Sequence, residues 1–324
     1  MLLVMGEMPM KCLVTGAMGF LGSAICKELI KRNHFVVGLD KVPNDGTFEI
    51  GSKFQFLCAD MLIWNPDDLK RVLKTVLGVD IYDFDAIYHM TSPCSLIEFK
   101  EDLDGATYKS ILGLNSIIDI AKSIPDVRVF LPSSGNIYGN IPIPQSETDA
   151  IEPNNPYAHT KSIMEILLKK SGVNYTIFRI FLGYGIGEEK KGRLSSIVNK
   201  FADTAIQDMP IEIWGSGTQL RDLIYEDDIS RLCVNALENK DTANQIFNIG
   251  TGRSLNFIEI AYLIKEALGK DTIDLKFADA PENYVVGAVA NTEKMRKYLG
   301  NPEITAEEGI KRVVEHKLKK MGKL

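Results

Sequence analysis

The stretch Thr15-Gly16-Ala17-Met18-Gly19-Phe20-Leu21-Gly22 decides the fold. Its glycines stand at 16, 19 and 22, between the apolar run KCLVT (11–15) and SAICKELIKRN, whose apolar residues recur at helical spacing. Glycine permits a tight turn and close backbone approach there, and the start of the following helix offers unpaired N–H groups to a pyrophosphate. Taken alone, such a triplet also suits a plain packed strand–helix turn. Asp40 favours the dinucleotide. It ends the next apolar run, HFVVGLD (34–40), where a carboxylate can accept from adenosine ribose hydroxyls. Gly16, Gly19, Phe20, Leu21 and Gly22 are therefore read as the cradle, with Asp40 and Lys41 at the ribose. Asp40 would repel a 2′-phosphate, which favours NAD over NADP; Lys41 beside it pulls the other way.

Outward from this point the pattern repeats. FQFLCAD (54–60), FDAIYHM (84–90) and VRVFLPSS (127–134) read as further strands, with helical periodicity over 66–78 and 105–123. Continuous apolar strands alternating with helices mean a parallel sheet covered on both faces. The fold class is α/β: a Rossmann doubly wound parallel sheet with a smaller C-terminal substrate-binding α/β lobe built from discontinuous segments. The ligand edge of such a sheet lies at the carboxyl ends of its strands. That edge would gather Asp40, Asp60 with Met61, the segment Met90-Thr91-Ser92 after His89, and Ser133-Ser134. Asp60 suits either the adenine amino group or a loop cap. Past 140 a polar, proline-rich loop leads into a helix at 157–171 and a strand at 174–182. Residues 10–182 are expected to form the NAD-binding domain with a catalytic helix, and 183–324 mainly the substrate lobe, some segments returning to the first domain.

The net charge of −6 gives no basic field of the kind that draws nucleic acid or anionic membrane. Five scattered cysteines without C-x-x-C spacing read as small buried thiols in a reducing compartment, and the four histidines show no ligand spacing, so no metal is expected. MLLVMGEMPM lacks a basic leader and carries Glu7 and Pro9, a poor signal peptide; residues 1–9 read as an upstream extension or a mis-chosen start. No apolar run is long enough to span a bilayer, and the chain reads as cytoplasmic.

Asn155-Pro156-Tyr157-Ala158-His159-Thr160-Lys161 opens a helix with tyrosine and lysine four apart, on one face. An ammonium close to a phenol, with a nicotinamide cation nearby, favours phenolate, which could take a proton from a sugar hydroxyl. A tyrosine packed on a lysine stem is the bland alternative; the cradle upstream and the strand-end serines argue against it.

In these features the chain resembles the extended short-chain dehydrogenase/reductase family, in its NAD-dependent epimerase/dehydratase branch of sugar-nucleotide enzymes. The matching pieces, over essentially residues 10–300, are TGAMGFLG (15–22), YHMTSP (88–93), PSSGNIYG (132–139), YAHTK (157–161), RIFLGYGIG (179–187), WGSGTQLRDLIYEDD (214–228) and FNIGTG (247–252). The resemblance implies Tyr157 as acid/base, Lys161 on the nicotinamide ribose and tuning the tyrosine, and Ser134 on the reacting oxygen. It implies Arg221 on a nucleotide-sugar phosphate, against the alternative of an ion pair with Asp222 or Asp227. Ser92, Thr91 and Asn136 would line the sugar pocket, and a homodimer formed through the helices at 105–123 and 157–171 is expected. Two departures stand out: Leu182 replaces an asparagine that reaches the substrate phosphate in relatives, and no arginine stands near Ala280-Pro281-Glu282. Lys190, Lys191 and Arg193 could compensate, or could be a solvated charge run.

Dehydratases of this branch carry Asp-Glu where this chain has Gly135 and Asn136, so 4,6-dehydration is disfavoured; decarboxylases tend to keep a glutamate at the second position. What remains is oxidation at a sugar carbon with return of the hydride, a 4-epimerase acting on a nucleotide sugar. The alternatives are an NAD(P)H-dependent 4-ketoreductase, a UDP-glucuronate decarboxylase-like enzyme, and a dinucleotide-sensing scaffold, the last of which predicts a broken Ser134/Tyr157/Lys161 set.

Overall fold

The computed structural model describes residues 9–62, 66–280 and 284–323. Its strands are β1 (Lys11–Thr15), β2 (Phe35–Asp40), β3 (Phe54–Cys58), β4 (Ala86–His89), β5 (Arg128–Ser134), β6 (Asn174–Ile180), β7 (Leu182–Tyr184), β8 (Ile211–Trp214), β9 (Leu220–Tyr225), β10 (Gln245–Ile249), β11 (Ser254–Leu255), β12 (Leu275–Ala278) and β13 (Gly287–Ala288). The α-helices are α1 (Phe20–Lys31), α2 (Pro66–Val72), α3 (Leu96–Glu101), α4 (Leu103–Lys122), α5 (Pro156–Lys170), α6 (Ile197–Ile206), α7 (Glu226–Glu238), α8 (Phe257–Ala267), α9 (Glu293–Tyr298) and α10 (Ala306–Lys320).

The main sheet has seven strands in the order β10-β6-β5-β4-β1-β2-β3, all parallel. The doubly wound parallel sheet expected from the sequence is present. Alternate residues of β1 face opposite layers. Cys12 and Val14 join Ile25 and Leu29 of α1 and Ile229 and Leu232 of α7 on one face. Leu13 joins Leu114 and Ile117 of α4 and Met164 and Leu168 of α5 on the other. Burial on both faces is why these strands read as unbroken apolar runs. The chain order reverses between β1 and β4, which pair Thr15 with His89 at their carboxyl ends. A crevice must open at that switch point.

A smaller unit surrounds β9, which pairs with β7, β11 and β13; β8 pairs with β12, and α6, α8 and α10 bury a separate apolar cluster there. The run NYTIFRIFL does not stay one strand: β6 ends at Ile180, and β7 leaves the main sheet to pair with β9. α1 begins at Phe20, earlier than its apolar periodicity suggests, because the glycine turn itself feeds the first helical turn. The thiols differ from expectation too: Cys12, Cys26 and Cys233 are buried, but Cys58 and Cys94 are exposed, and all five are free. Among the described residues no helix is long and apolar enough to cross a membrane. The reading of residues 1–8 lies outside the described residues.

Candidate active site

The cradle is built as glycine chemistry dictates. Gly16 has φ +67°, and a Cβ on it would lie 2.9 Å from the Met90 carbonyl carbon; one on Gly22 would lie 1.9 Å from the Gly16 oxygen. Larger residues would therefore push the helix off the turn. Gly19 precedes α1 without any side-chain cap, and no acid stands in the first turn. The leading N–H groups of the helix, at Phe20, Leu21 and Gly22, have no carbonyl partner within the helix and no competing carboxylate, an arrangement that fits a pyrophosphate.

Asp40 Oδ2 accepts from Met18 N–H at 2.9 Å and Oδ1 from Val42 N–H at 3.0 Å, which fixes the carboxylate at the end of β2 beside the cradle. Each oxygen keeps a lone pair for a ribose hydroxyl. Lys41 is exposed next to it. Asp60 caps its own loop, Oδ1 accepting from Leu62 N–H at 3.0 Å, and Met61 is buried beneath. After β4 the backbone is pinned by Thr15, whose hydroxyl meets His89 Nδ1 at 3.1 Å and the Thr91 N–H at 3.4 Å. Burial, with the Lys161 charge nearby, brings His89 down to about 3, so it is neutral. Met90 and Thr91 stand half-buried beside the cradle.

Asn155 caps α5, its Oδ1 accepting from Ala158 N–H at 2.9 Å, with Pro156 as the first helical residue. Tyr157 then falls in the first turn and Lys161 one turn on, both buried. The Phe99 ring meets Tyr157 edge-on at 5.6 Å. Ser134 stands beside the phenol and draws its pKa down, and its Oγ accepts from Asn136 N–H at 3.1 Å. The three expected catalytic side chains thus converge. Two details depart from expectation. Lys161 Nζ donates to Ser92 Oγ at 2.8 Å and to the Pro132 carbonyl at 3.2 Å, so the Ser92 hydroxyl, expected on the sugar, serves the lysine. Nor does Lys161 lower the phenol's pKa in the protein alone: burial raises it, Cys94 and Glu98 adding to the rise, and Ser134 alone pulls it down. Lys161 Nζ lies 5.9 Å from the phenol's ring centroid. Burial also brings Lys161 down to about 8, against the pull of Cys94, Glu98 and Glu165.

Beyond Ser134 the turn carries no acid. A Cβ on Gly135 would sit 3.0 Å from the Phe181 ring, and Asn136 follows half-buried. A side chain at Gly135 would press on the Phe181 ring, and neither Gly135 nor Asn136 is an acid that could drive elimination.

Arg221, on β9, is about nine-tenths buried yet touches neither Asp222 nor Asp227. Its nitrogens donate to the carbonyls of Leu220 (2.8 Å) and Val285 (2.7 Å), and its guanidinium lies 5.2 and 5.3 Å from the Phe257 and Tyr284 ring centroids. Asp222 instead gathers the N–H groups of Thr251, Gly252 and Ala290, while Asp227 faces Arg312. A buried cation without a carboxylate is costly unless an anion completes it. Arg193, expected near the substrate phosphate, forks onto Glu101 at the surface. Leu182 is half-buried in the apolar cluster of the smaller unit, so no polar group replaces the missing asparagine there. Of the 280–282 segment, Pro281 and Glu282 lie outside the described residues. Sequence reasoning missed Phe257, Tyr284 and the inward turn of Lys191, none of which carries a local motif.

Residues 12–250 match the sequence profile of the NAD dependent epimerase/dehydratase family. The chain belongs to that family. NAD, expected from Asp40, is the cofactor for which the family is named. A putative UDP-glucose 4-epimerase of Methanocaldococcus jannaschii is 30% identical, the match covering 93% of this chain and 96% of the relative. A UDP-glucuronate 4-epimerase of Thermodesulfobacterium geofontis is 27% identical over 93% of this chain and 94% of its own. Among solved structures, the UDP-glucuronic acid 4-epimerase of Bacillus cereus, in complex with UDP-4-deoxy-4-fluoroglucuronic acid and NAD, superposes with a TM-score of 0.84 at 26% identity, covering 96% of this chain and 100% of that one. A UDP-glucuronic acid decarboxylase of Arabidopsis thaliana is also similar, at 27% identity over 95% of this chain and 70% of the plant protein. Three of these four relatives are named as UDP-sugar 4-epimerases and one as a decarboxylase, so the sugar-nucleotide epimerase expected from the sequence is the function the comparisons support.

Proposed function

We propose that this family member epimerises a UDP-linked hexose or hexuronic acid at C4. The observation that carries the reading is the convergence of Ser134, Tyr157 and Lys161 at the carboxyl end of β5, beside the cradle and with no acid at Gly135 or Asn136. Bound NAD supplies the acceptor and donor of the hydride. Tyr157, as phenolate, takes the proton of the sugar hydroxyl as its carbon is oxidised, then returns it. Ser134, beside the phenol, is placed to hydrogen-bond the reacting oxygen. Lys161, held by Ser92 and Pro132, presents its remaining N–H to the cofactor ribose. Arg221 holds a phosphate oxygen of the nucleotide with its planar fork, aligned by Phe257 and Tyr284. The missing acid beside Ser134 leaves the keto sugar with no route to elimination, so it is reduced again.

The test is NMR product analysis across UDP-, GDP-, CDP- and dTDP-sugars, with Tyr157→Phe as control. UDP-sugar epimers should form without net NADH, and the variant should lose turnover while keeping NAD. Stoichiometric NADH consumption would instead establish a ketoreductase.

The same reading includes a cytoplasmic homodimer. The outer faces of α4 and α5 leave Leu103, Tyr108, Ile163 and Ile166 between 45% and 65% exposed, an apolar patch suited to a second copy of the same helix pair. Sedimentation of the wild type against Ile166→Glu tests it: a monomer in both sinks it, a dimer lost in the variant supports it.

A further inference from the structure

Glycines and charge fill the segment Ile186–Leu194, which is fastened at both rims of the cofactor groove. On the adenosine side, Lys190 Nζ donates to Thr47 Oγ1 at 3.4 Å, in the loop that follows β2. On the nicotinamide side, Arg193 forks onto Glu101 at the end of α3. Just before and between these anchors the segment crosses the start of α1. A Cβ on Gly187 would lie 3.3 Å from the Phe20 ring, and Lys191 Nζ stands 5.3 Å from that ring's centroid. Phe20 is the first residue of the helix whose N–H groups form the cradle. Lys191 also faces Cys94 and Glu98, in the stretch after β4.

The segment's back is held firmly. Glu188 is fully buried and accepts from Lys191 Nζ (2.9 Å), Ser196 N–H (3.1 Å) and Asn199 Nδ2 (2.9 Å), while Glu226 accepts from the Gly187 N–H. One carboxylate thus aims the ammonium without consuming it. Lys191 carries three N–H donors, its side chain is 20% exposed, and Glu188 takes one of them. An anion lying on the start of α1 would find the rest within the groove.

We propose that Lys191 contacts the cofactor's pyrophosphate and that Ile186–Leu194 is a strap that retains the dinucleotide between turnovers. This rests on the dinucleotide reading given above. An enzyme that returns the hydride it removed has no use for cofactor exchange, and a strap tied at both rims slows release.

Lys191→Met keeps the methylene stem and removes the charge. The full-length chain is stripped of nucleotide, and NAD, UDP and adenosine binding are measured by calorimetry, with NADH release followed by chase. Loss of one charge-assisted hydrogen bond should raise the NAD Kd roughly 10- to 100-fold and quicken NADH release. Adenosine and UDP should bind as before. Lys191→Arg should restore most of the affinity, and Lys31→Met, at the far exposed end of α1, should bind NAD as the wild type does. Wild-type NAD affinity in Lys191→Met overturns the proposal. So does weakened UDP binding with NAD unchanged, or equal loss of adenosine and NAD with a lowered melting temperature of the nucleotide-free protein. A wild type that binds no NAD at all would instead overturn the dinucleotide reading itself.

Discussion

Lys161→Met should make the nucleotide-free protein more stable near neutral pH, by an amount that fades as pH rises. The ammonium is buried with only Ser92 Oγ and the Pro132 carbonyl as hydrogen-bond partners among the described residues, and burial lowers its pKa from 10.5 to about 8. Between those values the unfolded chain still holds a proton that the folded chain has released. The unfolded state binds more protons, so wild-type stability climbs with pH through this window. One pKa unit corresponds to about 1.4 kcal/mol, so the buried charge costs about 3 kcal/mol at pH 7 and about 1 kcal/mol at pH 10. Methionine removes the charge at every pH. Its lost hydrogen bonds and altered packing add a constant offset, and the tyrosines titrate in both proteins alike. Urea unfolding of the two proteins at pH 7, 8, 9 and 10 gives the difference directly. It should shift by about 2 kcal/mol across that range in favour of the wild type as pH rises. A difference constant within about 0.5 kcal/mol would refute the argument that burial holds the Lys161 pKa down.

Gly22→Ala should abolish measurable NAD binding, because the new methyl would overlap the Gly16 oxygen and lift α1 from the turn; calorimetric titration with NAD is the check, and wild-type affinity would be inconsistent with the cradle. Arg221→Lys keeps the charge but loses the planar fork, so the UDP Kd should rise roughly tenfold with NAD affinity unchanged. Arg179 is joined to Glu165 by a buried ion pair of 2.8 Å under the catalytic helix, and Arg179→Ala should destabilise by about 3–5 kcal/mol in urea unfolding. A loss below about 1 kcal/mol would mean that Glu165 finds another partner or protonates cheaply.

Much of this was legible in the sequence because the deciding signals are local. The glycine turn, the acid ending β2, and the Tyr157–Lys161 spacing each lie within one turn or one strand end, where chain geometry alone fixes what meets what. Hence the sheet and the Tyr157–Lys161 pair were readable from residue patterns, whereas Ser134's place beside them was implied by the family resemblance. The surroundings were not. Arg221 is aligned by Phe257 and Tyr284, which reach it from distant segments, and no spacing rule joins them. Ser92 turns to Lys161 rather than to a sugar because a buried ammonium draws the nearest oxygen, a tertiary fact. The phenol's upward shift likewise depends on total burial, which is invisible in a heptapeptide. Arg193 and Lys191 stand two residues apart, and only the crossing of the strap over Phe20 sends one outward and the other inward.

The path of the chain after β6 carries a consequence for how such a protein can be cut or recombined. β7 departs for the smaller unit, yet β10 returns to flank β6, and α7 and α9 lie on the same side of the main sheet as α1. A fragment ending near residue 182 would leave β6 as a raw edge and strip cover from Phe130, Phe178 and Cys12. Such a piece would aggregate rather than fold. Cover for the main sheet thus comes from both halves of the chain, and a cut near residue 182 separates strands and helices that share one core.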